Sequence, residues 1–160
     1  MIFHIFGGET SGKTSVAKQL DPDMYAHWCI VEDFYKPEGI INKDNKMDWD
    51  LWKAKEKKIK TSIQEFIENN TDKHVIIETS GINRNANTVL KQYGAVPIYM
   101  GVPTPQETIA RCKKCNVDVE VGYDINKLAI VKFWDISDYL PPKLTIEEAV
   151  KTIKGTKQQE

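Results

Sequence analysis

Gly7-Gly8-Glu9-Thr10-Ser11-Gly12-Lys13-Thr14 is the stretch on which the reading of this chain turns. It fits G-x-x-x-x-G-K-[ST], a phosphate-binding P-loop, and each fixed position has a physical reason. Gly7 and Gly12 permit backbone angles that other residues resist. The loop can then curl until successive N–H groups converge on phosphate oxygens. Candidate phosphate contacts are Gly8, Thr10, Ser11, Gly12, Lys13, Thr14 and Ser15. A helix starting near Lys13 adds its positive end. Lys13 brings a mobile charge for the outer phosphates, and Thr14 offers a hydroxyl ligand to magnesium. Glu9 would stand beside phosphate charge, but the cradle uses backbone groups, so its side chain is free to point into solvent.

The segments around the loop read as alternating strands and helices. Ile2 to Phe6 is a short apolar run ended by glycine, the mark of a buried strand. Thr14 to Leu20 suits a helix stopped by Asp21-Pro22. Trp28 to Val31, His74 to Ile77 and Val96 to Met100 are further strand candidates. Lys36 to Asn45 holds Pro37, Gly39 and a polar cluster, so it reads as a loop. Ile59, Ile63, Phe66 and Ile67 recur at helical spacing and predict one long helix from about Leu51 to Asn69. Another helix is expected over Ala86 to Tyr93. Thr104-Pro105-Gln106-Glu107 starts a helix with a capping box, as does Thr145-Ile146-Glu147-Glu148. Asp124 to Tyr139 is read as helix, with Leu128 to Trp134 as a competing strand. Such alternation implies a three-layer α/β fold, a parallel sheet of four or five strands flanked by helices. Right-handed crossovers bring the strand ends Phe6, Val31, Ile77 and Met100 to one edge, where ligands of such sheets bind.

That edge collects acids. Asp33 follows the second strand, placed to orient an attacking hydroxyl and take its proton; a local cap is the competing reading. Glu78 closes an apolar strand, Val75-Ile76-Ile77, and its carboxylate is a second candidate magnesium ligand beside Thr14. A guanine-reading switch would need an asparagine-lysine-x-aspartate motif. Asn42-Lys43-Asp44-Asn45 and Asn126-Lys127-Leu128-Ala129 both miss it, which points to ATP.

Val31-Glu32-Asp33-Phe34-Tyr35-Lys36-Pro37, followed by Met47-Asp48-Trp49-Asp50, resembles the pattern of small P-loop nucleoside kinases, the uridine kinases and nicotinamide riboside kinases. The resemblance is good to about Asp50 and loose from there to Asn116. It implies a P-loop kinase fold, with Asp33 as general base and Tyr35, Lys36, Trp49 and Asp50 beside the acceptor. Arg84 is a further acceptor candidate on position alone. Thr104 to Asn116 is similar to the lid helix of polynucleotide kinases and zeta-toxin-like enzymes. Arg111 fits the first lid arginine and would neutralise charge on the transferring phosphoryl group. Cys115 stands where a second arginine is usual.

Length and charge agree with this reading. The chain has 160 residues, enough for one domain spanning residues 1–160 with a lid over about 105–123. Its formal charge of −1 gives no general pull toward nucleic acid or anionic membrane, and no apolar run is long enough to span a bilayer. Three cysteines are too few for a disulfide scaffold and suggest a reducing cytoplasm. Cys112-x-x-Cys115 lacks a second ligand pair, so no zinc site is expected. His4, His27 and His74 are read as structural, away from the functional edge. Lys53, Lys55, Lys57, Lys58 and Lys60 are read as a solvated face. The four tryptophans, Trp28, Trp49, Trp52 and Trp134, are core anchors by default. The expected reaction moves the γ-phosphoryl group of Mg-ATP to a hydroxyl on a nucleoside-like small molecule. A nucleic-acid acceptor and a nucleotide-binding regulator without turnover are the rivals. Oligomeric state is left open.

Overall fold

The computed structural model describes residues 1–114, 126 and 141–156. Strands β1 (Ile2–Phe6), β2 (Tyr25–Cys29), β3 (His74–Thr79) and β4 (Val96–Tyr99) form one parallel sheet, in the order β2-β3-β1-β4. The helices are α1 (Lys13–Lys18), α2 (Trp49–Ala54), α3 (Glu56–Glu68), α4 (Arg84–Gln92), α5 (Pro105–Lys114) and α6 (Ile146–Gly155). Strand residues alternate between the two faces, as the period of a strand requires. Val75 and Ile77 join Phe6 and the isoleucines of α3 on one side. Ile76, Phe3 and Ile5 join Val16, Ala149 and Ile153 of α1 and α6 on the other. Both faces of the sheet are therefore covered, and this makes the three layers that the alternation implies. No described helix is long and apolar enough to cross a membrane.

Register sets the site. Ile5 pairs with Glu78 and Cys29 pairs with Glu78, so that acid stands level with the last residue of β2 and one residue short of the loop strand's end. The carboxyl ends of β1, β2, β3 and β4 share one edge.

The third strand runs on past Ile77 to Thr79 and the fourth stops at Tyr99, and two further elements differ more from the sequence reading. The second strand is Tyr25–Cys29, not Trp28 to Val31, and Val31–Tyr35 is a π-helical turn. Among the described residues β2 pairs with β3 alone, so part of it stays accessible and hydrophobicity does not mark its first residues. The apolar Ile30 and Val31 belong to the turn instead. The expected single helix from Leu51 to Asn69 is two. Lys55 leaves helical geometry at φ −101, ψ 8, with no glycine or proline to announce it. Trp52 of α2 donates to the Tyr35 hydroxyl, whereas Ile59, Ile63 and Ile67 form the buried stripe of α3, which packs on α4.

Both capping boxes form, at Thr104 with Glu107 and at Thr145 with Glu148. Helix α4 begins at Arg84, ahead of the expected Ala86, because Asn83 caps it through the Ala86 N–H. The stretch Asp124 to Tyr139, including the alternative strand, lies outside the described residues except for Asn126.

Candidate active site

The loop is shaped by close contacts as much as by backbone freedom. Gly12 sits at φ +101, and a Cβ there would come within 2.7 Å of Ile146. A Cβ on Gly7 would come within 2.7 Å of the Gly101 carbonyl, and the Gly8 N–H donates to that same carbonyl at 2.9 Å. Thr10 adopts φ +63, an uncommon value for a residue with a Cβ. The loop therefore fits between the turn after β4 and the start of α6.

Lys13 is buried and folds back over the loop. Its Nζ donates to the carbonyls of Gly7 and Gly8, each at 2.9 Å, and lies 3.8 Å from the Glu9 carboxylate. Glu9 thus faces the loop lysine and not solvent, which corrects the expectation from sequence. Among the described residues no side chain caps α1 at Gly12. The hydroxyls of Thr10 and Ser11 are buried without partners. Unpaired buried polar atoms are rare, and a phosphate oxygen is the chemistry that would satisfy them.

Thr14 Oγ1 donates to Glu78 Oε1 at 2.7 Å. Two hard oxygen donors meet there, one from the helix after the loop and one from the end of β3. They fit magnesium, which binds through one or two protein oxygens together with nucleotide phosphates rather than in a full protein cage. Among the described residues no cluster of three or more acidic, histidine or cysteine side chains forms such a cage. Burial opposes the charge of Glu78, but hydrogen bonds from His27 and Thr14 and the nearby Lys13 charge prevail and hold its carboxyl below the ordinary value.

His27 is the residue that sequence reasoning placed wrongly. Its Nε2 lies 2.8 Å from Glu78 Oε2. The offset of β2 is the cause: a strand starting at Trp28 puts His27 at the wrong end. In the observed register it lies two residues before Cys29, the partner of Glu78. His4 is structural as expected. It is fully buried, bonded to Thr79 Oγ1 at 2.7 Å, and burial followed by the Lys13 charge lowers its pKa to about 3. His74 contacts the N-terminal ammonium and the Tyr25 ring.

Asp33 stands on the π-helical turn. Its Oδ2 accepts the Cys29 N–H at 2.7 Å, so the carboxylate is fixed at the end of β2 beside Glu78's partner residue. The Cys29 thiol is pushed up to about 12 by burial and then by the Glu78 charge, which keeps it protonated at neutral pH. Tyr35 is fully buried, its hydroxyl accepting from Trp52 Nε1 at 3.0 Å and burial raising its pKa. Lys36 is exposed and paired with Glu32 at 2.8 Å. Trp49 meets Trp52 edge-on at 5.6 Å between ring centres, and the exposed Asp50 lies in the first turn of α2. Arg84 is exposed at the start of α4. In the lysine group, Lys55 and Lys58 both grip Glu38 of the loop after the π-helical turn, at 2.6 and 2.5 Å.

Arg111 reaches the loop from α5: Nη1 donates to the Thr10 carbonyl at 3.2 Å and Nη2 to Glu107 at 2.9 Å. Cys112 is buried, and Cys115 lies outside the described residues. Asn126 is a second residue that the sequence did not single out for the site. Its amide accepts from the Glu9 N–H and donates to the Glu9 carbonyl at 3.1 Å and to Thr108 Oγ1 at 2.9 Å. It ties the loop to α5. A lone asparagine carries no local signal for such a role.

No protein-family model matches the chain, and no curated protein does. Solved structures match. One is a deoxyadenosine kinase from M. mycoides with bound dATP, at TM-score 0.54 and 14% identity, over 96% of this chain and 97% of that one. Another is the deoxyadenosine kinase from M. mycoides with products dCMP and a flexible dCDP bound, at TM-score 0.52 and 15% identity, over 96% of each chain. Identity this low speaks of architecture alone. With its parallel sheet, helices on both faces and phosphate loop after β1, the chain has the fold of the P-loop kinases.

Proposed function

We propose that this chain is an ATP-dependent phosphotransferase that moves the γ-phosphoryl group of Mg-ATP to a hydroxyl of a nucleoside-like small molecule. The observation that carries the proposal is the 2.7 Å bond from Thr14 to Glu78, which joins the loop and the acid closing β3 at one point. In this reading the amides and side chains of Gly8, Thr10, Ser11, Gly12, Thr14 and Ser15 cradle phosphates. Lys13 exchanges its bonds to Gly7 and Gly8 for the outer phosphates. Magnesium, held by Thr14 and Glu78, neutralises charge on the phosphates when it is bound.

Asp33 orients the acceptor hydroxyl and receives its proton as the oxygen–phosphorus bond forms and the bond to ADP breaks. In a loose transition state the proton leaves late, so the position of Asp33 matters more than its basicity. Arg111 comes down from α5, the lid helix, and stabilises charge on the equatorial oxygens. The nucleoside-like acceptor is supported by the likeness of Val31 to Pro37 and Met47 to Asp50 to uridine and nicotinamide riboside kinases. The similar structures, named as deoxyadenosine kinases with dATP or dCMP bound, point the same way. Trp49, Asp50, Lys36 and Arg84 would then face the acceptor, with Tyr35 behind them.

The test is Mg-ATP turnover screened over ribo- and deoxyribonucleosides, nicotinamide riboside and 5′-hydroxyl oligonucleotides. Transfer to a nucleoside is expected. Asp33→Asn keeps an acceptor for the Cys29 N–H and should lower transfer by about 10²–10⁴-fold with ATP binding intact. Normal turnover in Asp33→Asn would remove the base assignment. Intact ATP binding and transfer in Lys13→Ala would remove the site.

A further inference from the structure

The stretch from Thr79, which ends β3, to Asn87 in the first turns of α4 carries two buried amides with one end each unused. Asn83 is 1% exposed and Asn87 is 6% exposed. Asn83 Oδ1 accepts the Ala86 N–H at 2.9 Å, which caps α4. Asn87 Nδ2 donates to the Gly81 carbonyl at 3.0 Å. These bonds fix which way each amide faces. What remains is a donor, Asn83 Nδ2, and an acceptor, Asn87 Oδ1, both buried and both without a partner. A fold does not leave two such groups unpaired without cost, and a ligand edge is one way to repay it.

Their surroundings say what kind of ligand. Ile82 and Ala86, on the same stretch, belong to the apolar cluster that holds Tyr35 and Trp52, with Trp49 packed against it. The Ser80 hydroxyl, also on it, is likewise buried without a hydrogen-bond partner among the described residues. The stretch also follows directly on Glu78, so it borders the phosphate site. Aromatic walls with a few fixed polar groups select flat, mostly apolar ligands. The two free groups are neutral, which suits an uncharged ring and not a further phosphate. We propose that Asn83 and Asn87 form a donor–acceptor pair that reads the amide-like edge of a planar heteroaromatic ring on the acceptor. The complementary edge presents a carbonyl or ring nitrogen beside an N–H, as nucleobases and carboxamides do. This inference rests on the kinase reading above and adds the ring edge as its specificity element.

Two measurements test it. The first uses the unaltered protein. kcat/KM is compared for uridine against N3-methyluridine, and for adenosine against N6,N6-dimethyladenosine. Each methylation removes the N–H of the edge. At least a tenfold loss is expected for the methylated member of whichever pair reacts, because the Asn87 oxygen is then left unpaired. The second uses Asn83→Asp and Asn83→Ser. Both retain an oxygen to cap α4, and both remove the free donor. They should lower kcat/KM for the preferred nucleoside at least tenfold, with KM for Mg-ATP unchanged. Asn83→Asp should also shift preference toward guanosine, whose edge offers two adjacent donors; a purely structural role would not move that ratio. Equal activity on parent and methylated nucleosides, or variants within twofold of the parent protein, would overturn the inference and leave the kinase reading standing. If ATP binds and no nucleoside is phosphorylated, the kinase reading falls and the inference falls with it.

Discussion

His27→Ala tests the polar chain Thr14–Glu78–His27. Glu78 is 4% exposed at its side chain and His27 is 34% exposed. The bond at 2.8 Å therefore joins a carboxylate shut off from water to a ring that water still reaches. Hydrogen bonds to charged groups contribute about 1.5–3 kcal/mol. Competition from water at the histidine end puts the expected loss in the lower half, about 1.5–2 kcal/mol. For a domain of this size that lowers the unfolding temperature by about 3–8 °C. A second effect separates a role at the site from plain stability. Glu78 Oε1 is left with Thr14, and the carboxylate's other oxygen loses its bond to His27. Partners behind a metal ligand commonly matter by about 10–100-fold in metal affinity. The concentration of magnesium needed for half-maximal nucleotide binding should rise about tenfold, measured by fluorescence of an ATP analogue. His27→Gln places an amide nitrogen near the position of Nε2 and should restore most of both losses. Alanine at position 27 with an unchanged unfolding temperature and an unchanged magnesium requirement would refute the reasoning.

Three other outcomes are expected. Gly12→Ala meets Ile146 and a left-handed φ of +101, and should lose about 1–3 kcal/mol in urea titration; adding Ile146→Ala should recover the steric part alone. His4 is kept neutral by burial, so the unfolded chain takes up its proton first as pH falls. Its contribution to stability is complete above pH 6.5 and is lost on the way down to about 3, reaching about 2 kcal/mol by pH 5. His4→Gln should flatten that part of the curve of unfolding free energy against pH. Asn126→Ala leaves the Glu9 backbone without the side chain that bridges it to Thr108, and should raise KM for ATP several-fold while amide exchange in the loop quickens.

What the sequence disclosed, and what it withheld, follows from how far each signal reaches along the chain. The P-loop, the acid ending β3 and the two capping boxes are written within a few consecutive residues, and backbone geometry enforces them locally. The β2 strand was misplaced because it runs along one side of the sheet, where Tyr25, Ala26 and His27 need not be buried. The apolar pair Ile30 and Val31, which looked like its continuation, fills a helical turn. That shift also hid His27. The break at Lys55 lacks a glycine or proline, and its cause is tertiary: Trp52 answers to Tyr35, while the isoleucine stripe lies against α4. Asn126 and the free ends of Asn83 and Asn87 become visible only when distant segments are brought together.

The contact between Gly12 and Ile146 has a consequence for how the protein is made. The loop lies near the start of the chain, and the side chain that backs it belongs to α6, near the other end. Leu144, just before α6, also bonds to the Tyr99 carbonyl at the end of β4. On a ribosome, the loop and its strand emerge well before the wall they rest on, because Ile146 follows Gly12 by 134 residues (146 − 12). Contacts that close so large a loop form late and slow the search for the native state. The backed form of the loop should thus be acquired only once α6 has emerged, and the part of α1 that meets α6 stays uncovered until then.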